Sequence, residues 1–289
     1  MQRFAFLLIG LALLSGCAAE TEAQAPVHVM LVNDDGIDSP GLAAVAAVLA
    51  TDPSYRITVV APAEQQSGVG HAITIRGEMT IESHDEVGGA PAWAVTGTPA
   101  SVTAAGLTVV LETDPPDLVV SGINKGENVG RAAWYSGTLG AAREAVMRDV
   151  PAIALSLELD WQDPQPDWTA AARFAKPVID AVRRNPLPAG VLLNVNFPRE
   201  TAAARGYRVT RLSLAPDSES RYEVDREEDG VRYVSSRWAP PADAARGTDV
   251  AAIEEGFIPI TPLTLDQTAY PFLTDLIELD LVIPPPAAR

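Results

Sequence analysis

Short runs rich in Val, Ile, Leu and Ala recur along the chain: VHVMLV (27–32), RITVVAP (56–62), WAVTG (93–97), DLVVSG (117–122), PAIALSL (151–157) and VLLNVNF (191–197). Helical stretches separate them. A strand wetted on one face alternates apolar and polar residues, whereas a strand that is apolar almost throughout is covered on both faces. Such strands, interleaved with helices, predict an α/β fold with a doubly wound, Rossmann-like, mostly parallel sheet. Ser39-Pro40 and Thr98-Pro99 mark two helix starts, because proline's fixed φ suits the first helical position, where its missing N–H has no partner to lose. Further helices are expected near 138–148 and 168–184.

After residue 200 the character changes. Charged, irregular sequence (APDSESRYEVDREEDG) leads into VRYVSSRW, which reads as a projecting hairpin, and TDVAAIEEGFIPITPL adds a short helix and a strand. The expected organisation is a Rossmann-like core at 27–200 followed by a C-terminal extension at 201–289 that carries the hairpin. Ahead of the core, Arg3 and the apolar stretch 4–14, too short to span a bilayer, form a targeting segment. The following LSGC resembles a bacterial lipobox. Residues 1–16 are therefore expected to be a lipoprotein signal peptide, Cys17 the lipidated first residue of the mature chain, and 17–26 a tether. That would place the folded part in the cell envelope on the periplasmic side, touching membrane only through the lipid. Cys17 is the sole cysteine, so no intramolecular disulfide can form. The formal charge of −17 argues against nucleic-acid duplex binding, which needs a basic stripe.

Polar, glycine-rich loops follow four of the strands: NDDG, APAEQQSGVG, TGTPA and SGINKGENVG. In a doubly wound sheet they converge at one edge, where ligands bind. Asp34 and Asp35 would point to opposite faces within a strand. They can converge only where the strand ends, and Gly36 permits that turn. Two converging carboxylates raise one pKa unless a cation holds both ionised, and hard divalent cations prefer such oxygen ligands. A solvated strand-end turn or a helix entry remains the alternative from spacing alone. His28, His71 and His84 lack ligand-like spacing and no EF-hand register fits, so structural zinc and EF-hand calcium are set aside. GVGHAI (68–73) lacks the third glycine or alanine of a dinucleotide fingerprint, and no Walker A or GxSxG sequence occurs. In YSGTLGAAREAV, Ser136, Gly137 and Thr138 would open a helix whose free N–H groups can bind an anion, or serve as a simple cap. Lys125 and Arg131 flank the preceding loop. With no evident protein nucleophile, metal-activated water is the simpler chemistry.

These segments, with TGTPAS, LNVNFP and GTDVAAIEEGFIPITPL, together resemble the SurE family, stationary-phase survival proteins that act as metal-dependent 5′/3′-nucleotidases. The resemblance runs from about residue 27 to 262. It implies a metal site formed by Asp34, Asp35, Ser67 and Asn124, holding one Mg²⁺ or Mn²⁺ per subunit. It assigns Asn33 to orienting the site and Asn128 with Ser136–Thr138 to the phosphate pocket; Lys125, from its place in the flanking loop, is expected to add positive charge there. The implied substrates are nucleoside monophosphates or other small phosphate esters. A broad phosphatase or exopolyphosphatase, and a catalytically silent envelope binding module, are the alternatives. It also implies a homodimer or homotetramer, with the 220–240 segment exchanged between subunits. The chain departs from many members at Arg131 and Ala132, where acidic residues are usual.

Overall fold

The computed structural model describes residues 25–160, 162, 165–215, 221–237 and 244–278. The expected signal peptide, Cys17 and most of the tether lie outside the described residues, as does part of the 220–240 segment. Among the described residues, no helix is long and apolar enough to cross a membrane.

The apolar runs form β1 (Val27–Val32), β2 (Tyr55–Pro62), β4 (Ala90–Val95), β5 (Leu118–Lys125), β6 (Ala152–Leu157) and β7 (Val191–Phe197). They pair in parallel in the order β4-β2-β1-β5-β6-β7. The sheet has nine strands, because β3 (Ile81–Val87) joins antiparallel at one edge and β11 (Ile258–Thr264) at the other, followed by β8 (Tyr207–Val209). β3, the charged IESHDEV, was not anticipated: it is a largely exposed edge strand without the apolar pattern that revealed the others. The boundary at residue 200 is no break in the fold, since the C-terminal extension supplies two strands of the main sheet.

Both faces of the sheet are covered, and β1 shows how. Val29 and Leu31 pack with Leu42 and Leu49 of α1 (Pro40–Ala50) and Ile179 of α5 (Trp168–Arg184). Met30 and Val32 pack instead with Val102 of α2 (Pro99–Ala105) and with Leu139 and Ala142 of α4 (Gly137–Met147). The period of two that would leave alternate residues in water here feeds two cores, and each buried aliphatic side chain contributes about 1.5–3 kcal/mol. From β1 the chain steps to β2 and β4 on one side, then to β5, β6 and β7 on the other. The order therefore reverses between β1 and β5, and a crevice opens beyond their C-terminal ends.

Apart from this body, β9 (Arg221–Glu228) and β10 (Val231–Arg237) form a two-stranded antiparallel ribbon. Asp229 and Gly230 both adopt positive φ at its turn, which suits the twist of a tight hairpin. The expected hairpin is present. α3 (Ala132–Tyr135), α6 (Asp249–Glu254) and α7 (Leu273–Ile277) are short connecting helices.

Candidate metal and phosphate site

At the end of β1 the chain turns through Asn33, Asp34, Asp35 and Gly36. Asn33 Nδ2 donates to Gly36 O at 2.8 Å, closing the turn, and Gly36 takes φ +99°, the left-handed region that favours glycine. The turn ends the strand alternation. Asp34 points inward and is 3% exposed, while Asp35 sits half-buried beside it.

Asp34 faces the N-terminus of α4. Its Oδ1 accepts from Thr138 Oγ1 at 2.6 Å, and a Cβ on residue 137 would lie 2.8 Å from both its Cβ and its Oδ2. Gly137 is thus required by close approach. Ser136 caps the helix by accepting the Leu139 N–H at 3.1 Å, and the positive end of the helix dipole is directed at the carboxylate.

The third segment departs from the expected strand end at residue 122. β5 runs on to Lys125 across an irregularity between Ser121 and Asn124. Gly122 makes this possible: it has φ +123°, and a Cβ there would lie 2.2 Å from Leu155 O. The longer strand brings the Lys125 N–H to Asp35 Oδ2 at 2.8 Å and Asn124 to the crevice. Asn124 Nδ2 donates to Gly126 O at 2.7 Å, which leaves Oδ1 as its acceptor. The loop after β2 is tied in by the Gln66 N–H, which donates to Asp34 O at 2.7 Å, and it presents the exposed Ser67.

These segments enclose a cleft of about 420 Å³ lined by Asp34, Ser67, Asn124, Lys125, Asn128 and Ser136. Asp35 lines the adjoining pocket, with Lys125 common to both. Gly137 and Thr138 lie behind the cleft wall, and the fully buried Thr138 hydroxyl is spent on Asp34. Asn33 lies beneath the pair, fully buried, with Oδ1 lacking a partner. Arg131 is exposed and outside the lining, and His71 pairs with Glu144 at 3.0 Å instead of facing the cleft. Glu127 and Tyr135 line the cleft unanticipated. Glu127 follows β5 and Tyr135 ends α3, and nothing in their immediate sequence marks either beyond neighbouring glycines.

Electrostatics set this crevice apart. Burial pushes the Asp34 carboxyl up to about 7; the neighbouring Asp35 charge adds to the rise, and the hydrogen bonds from Thr138 oppose it. Burial raises Asp35 as well, against the Lys125 N–H and ammonium. Adjacent carboxylates in such surroundings stay ionised together when a cation offsets them. The donors are two carboxylates, a hydroxyl and an amide oxygen, an all-oxygen set that fits a hard divalent ion. Among the described residues, no group of three or more His, Cys, Asp or Glu is arranged to hold a metal, so no cluster suited to zinc competes with it there.

Fold and site define a Rossmann-like protein whose switch-point crevice combines paired acids with a helix N-terminus. Comparisons with known proteins agree. The family described as Survival protein SurE matches residues 29–219. A protein from Thermus thermophilus named 5′-nucleotidase SurE 1 is 40% identical over 259 residues, 88% of this chain and 98% of that one. The 5′-nucleotidase SurE of Desulfatibacillum aliphaticivorans is 38% identical over 253 residues, covering 87% and 98%. The crystal structure of the SurE protein from Aquifex aeolicus superposes with a TM-score of 0.76 at 31% identity, over 87% of this chain and 99% of that one. The chain belongs to the SurE family.

Proposed function

We propose that this chain is a metal-dependent phosphomonoester hydrolase of the 5′-nucleotidase type, releasing phosphate from nucleoside monophosphates. One observation carries the reading: Asp34, Ser67 and Asn124, from the ends of β1, β2 and β5, line one cleft against the N-terminus of α4, with Asp35 at its edge. The relatives' name, 5′-nucleotidase SurE, supports it. Asp34, Asp35, Ser67 and Asn124 would hold one Mg²⁺ or Mn²⁺ per subunit. Bound there, such a cation offsets phosphate charge and lowers the pKa of a water molecule.

The chain's own residues have distinct tasks in this scheme. Thr138 fixes the Asp34 carboxylate, and the Lys125 N–H fixes that of Asp35. Ser136, Asn128 and the Lys125 ammonium face the phosphate from the cleft wall, where fixed donors stabilise charge on the phosphoryl oxygens. Purified protein should release phosphate from a panel of nucleotides with added Mn²⁺ or Mg²⁺, and generic phosphate esters should be poorer substrates. Equal rates on both would favour a broad phosphatase.

Two further assignments belong to this proposal. Cys17 anchors the chain as an envelope lipoprotein; incorporation of labelled fatty acid should vanish in Cys17→Ser. The ribbon of β9 and β10 joins subunits into a dimer or tetramer, as its exposed Tyr222, Val224, Val231 and Val234 suggest. Light scattering on the purified protein checks this, and a monomeric mass contradicts it.

A further inference from the structure

β7 carries two amides where its neighbours are apolar. Asn194 and Asn196 are two residues apart, so they share a face, and both are fully buried. Neither lines the cleft. Burying an amide is unfavourable unless its hydrogen bonds are made, so an apolar strand would serve the core better. Their partners reveal what they do. Asn196 Oδ1 accepts the backbone N–H of Asn128 at 2.7 Å, and Asn194 Nδ2 donates to the backbone carbonyl of the same residue at 2.8 Å. Asn196 Nδ2 donates to Asn194 Oδ1 at 3.2 Å, joining the two clamps. Asn128 is therefore gripped on both sides of its peptide backbone by one strand.

The bonds continue toward the acids. Asn128 Nδ2 donates to Ser156 Oγ at 2.8 Å and approaches Thr138 Oγ1 at 3.4 Å, and Thr138 Oγ1 donates to Asp34 Oδ1. A second anchor lies two residues on: the fully buried Asp249 of α6 accepts the Gly130 N–H at 2.8 Å. A loop would otherwise be free to shift, and here it is pinned at residue 128 by the sheet and at residue 130 by the C-terminal extension.

We infer that Asn194 and Asn196 are positioning residues, which clamp the backbone of Asn128 so that its side chain and Thr138 are held against the phosphate cleft and Asp34. The inference rests on the proposed function, since it assigns Asn128 to the phosphate side of that site.

The test compares Asn194→Ala and Asn196→Ala with Thr261→Val, which removes the fully buried Thr261 hydroxyl of the adjoining β11 and its 2.7 Å hydrogen bond with Thr210. Each protein is characterised by its melting temperature, by kcat and KM for a nucleoside monophosphate, by inhibition with inorganic phosphate, and by Mn²⁺ binding in a calorimeter. Loss of a supporting hydrogen bond typically costs a site roughly 10–100-fold, so kcat/KM should fall by about that much in both Asn variants. Inorganic phosphate should inhibit more weakly by a similar factor, and Mn²⁺ affinity should fall less than kcat/KM, because the clamp meets Asp34 only through Thr138. Thr261→Val should lose stability alone. Should either alanine variant fail to fold, Asn194→Ser, which shortens the donor while keeping a polar group, takes its place. Asn variants that lose no more activity or phosphate affinity than Thr261→Val overturn the positioning role while leaving the function intact. A wild-type protein that releases no phosphate overturns the function and the inference with it.

Discussion

Carboxylates at the switch-point crevice and on the β9–β10 ribbon are the same chemical groups in opposite surroundings. On the ribbon, Glu223 lies against Arg221 and Arg237, while Asp225 takes a hydrogen bond from Ser235 and lies against Arg237; these partners hold both acids below the usual carboxylate range. In the crevice, Asp34 and Asp35 meet a threonine hydroxyl and a backbone N–H but no guanidinium, and burial drives both upward. An acid already paired with arginine in water has little left to offer a ligand. One desolvated, with burial outweighing any nearby positive charge, keeps its capacity for a cation. Composition alone hides this difference, because a formal charge of −17 counts both kinds alike.

Substitutions sharpen the contrast. The largest effect belongs to Asp34→Asn, which keeps an oxygen for Thr138 but removes the charge. Phosphate release should fall by about 10²–10³-fold or more, the scale on which loss of a transition-state charge partner operates. An Asp34→Asn protein of wild-type activity and metal affinity would end the assignment. Gly137→Ala comes next. The added methyl must displace the Asp34 carboxylate, and a misplacement of about 1 Å can cost on the order of 10²-fold. The melting curve tells whether any larger loss is a folding defect.

His28 offers a smaller, pH-dependent effect away from both regions. It is buried on β1, with Nε2 against Thr58 Oγ1 at 2.9 Å. Burial first, and then the positive charge of Arg56, hold its imidazole below the ordinary 6.5, with Asp114 and Asp117 opposing. The folded chain refuses a proton that the unfolded chain accepts. Its contribution to stability is therefore full above the unfolded pKa of 6.5 and is lost as pH falls from there toward the lowered folded value. Melts at successive pH values should show that decline in the wild type and a shallower one in His28→Gln. The smallest effect is expected on the ribbon. Glu223→Gln should leave phosphate release unchanged and move the melting curve by no more than its error, since exposed ion pairs contribute little.

Much of this architecture is legible in the sequence. The buried strands announced themselves because a doubly covered strand must be apolar on both faces, and Ser39-Pro40 and Thr98-Pro99 marked helix starts that hold to the residue. β3 escaped because an exposed edge strand needs no apolar face. The extension of β5 through Asn124 escaped because Gly122 and the close approach of Leu155 O are tertiary facts. At the site, Asp34, Ser67, Asn124, Lys125, Asn128 and Ser136 were all anticipated and meet in one cleft. Thr138 was placed in the phosphate pocket but is turned onto Asp34, a contact fixed by the packing of α4 that no local pattern encodes. Asn194 and Asn196 left a readable trace, two amides at a spacing of two within a buried strand, but their common partner lies 66 to 68 residues away in sequence.

The central claim is that the unpaired acids of the crevice act on phosphate through a divalent cation. Phosphate release from a nucleoside 5′-monophosphate by the purified protein, stripped with EDTA and then resupplied with Mn²⁺ or Mg²⁺, tests it most directly. Activity should disappear on stripping and return with the cation. Release that survives EDTA, or that neither cation elicits, would contradict the claim.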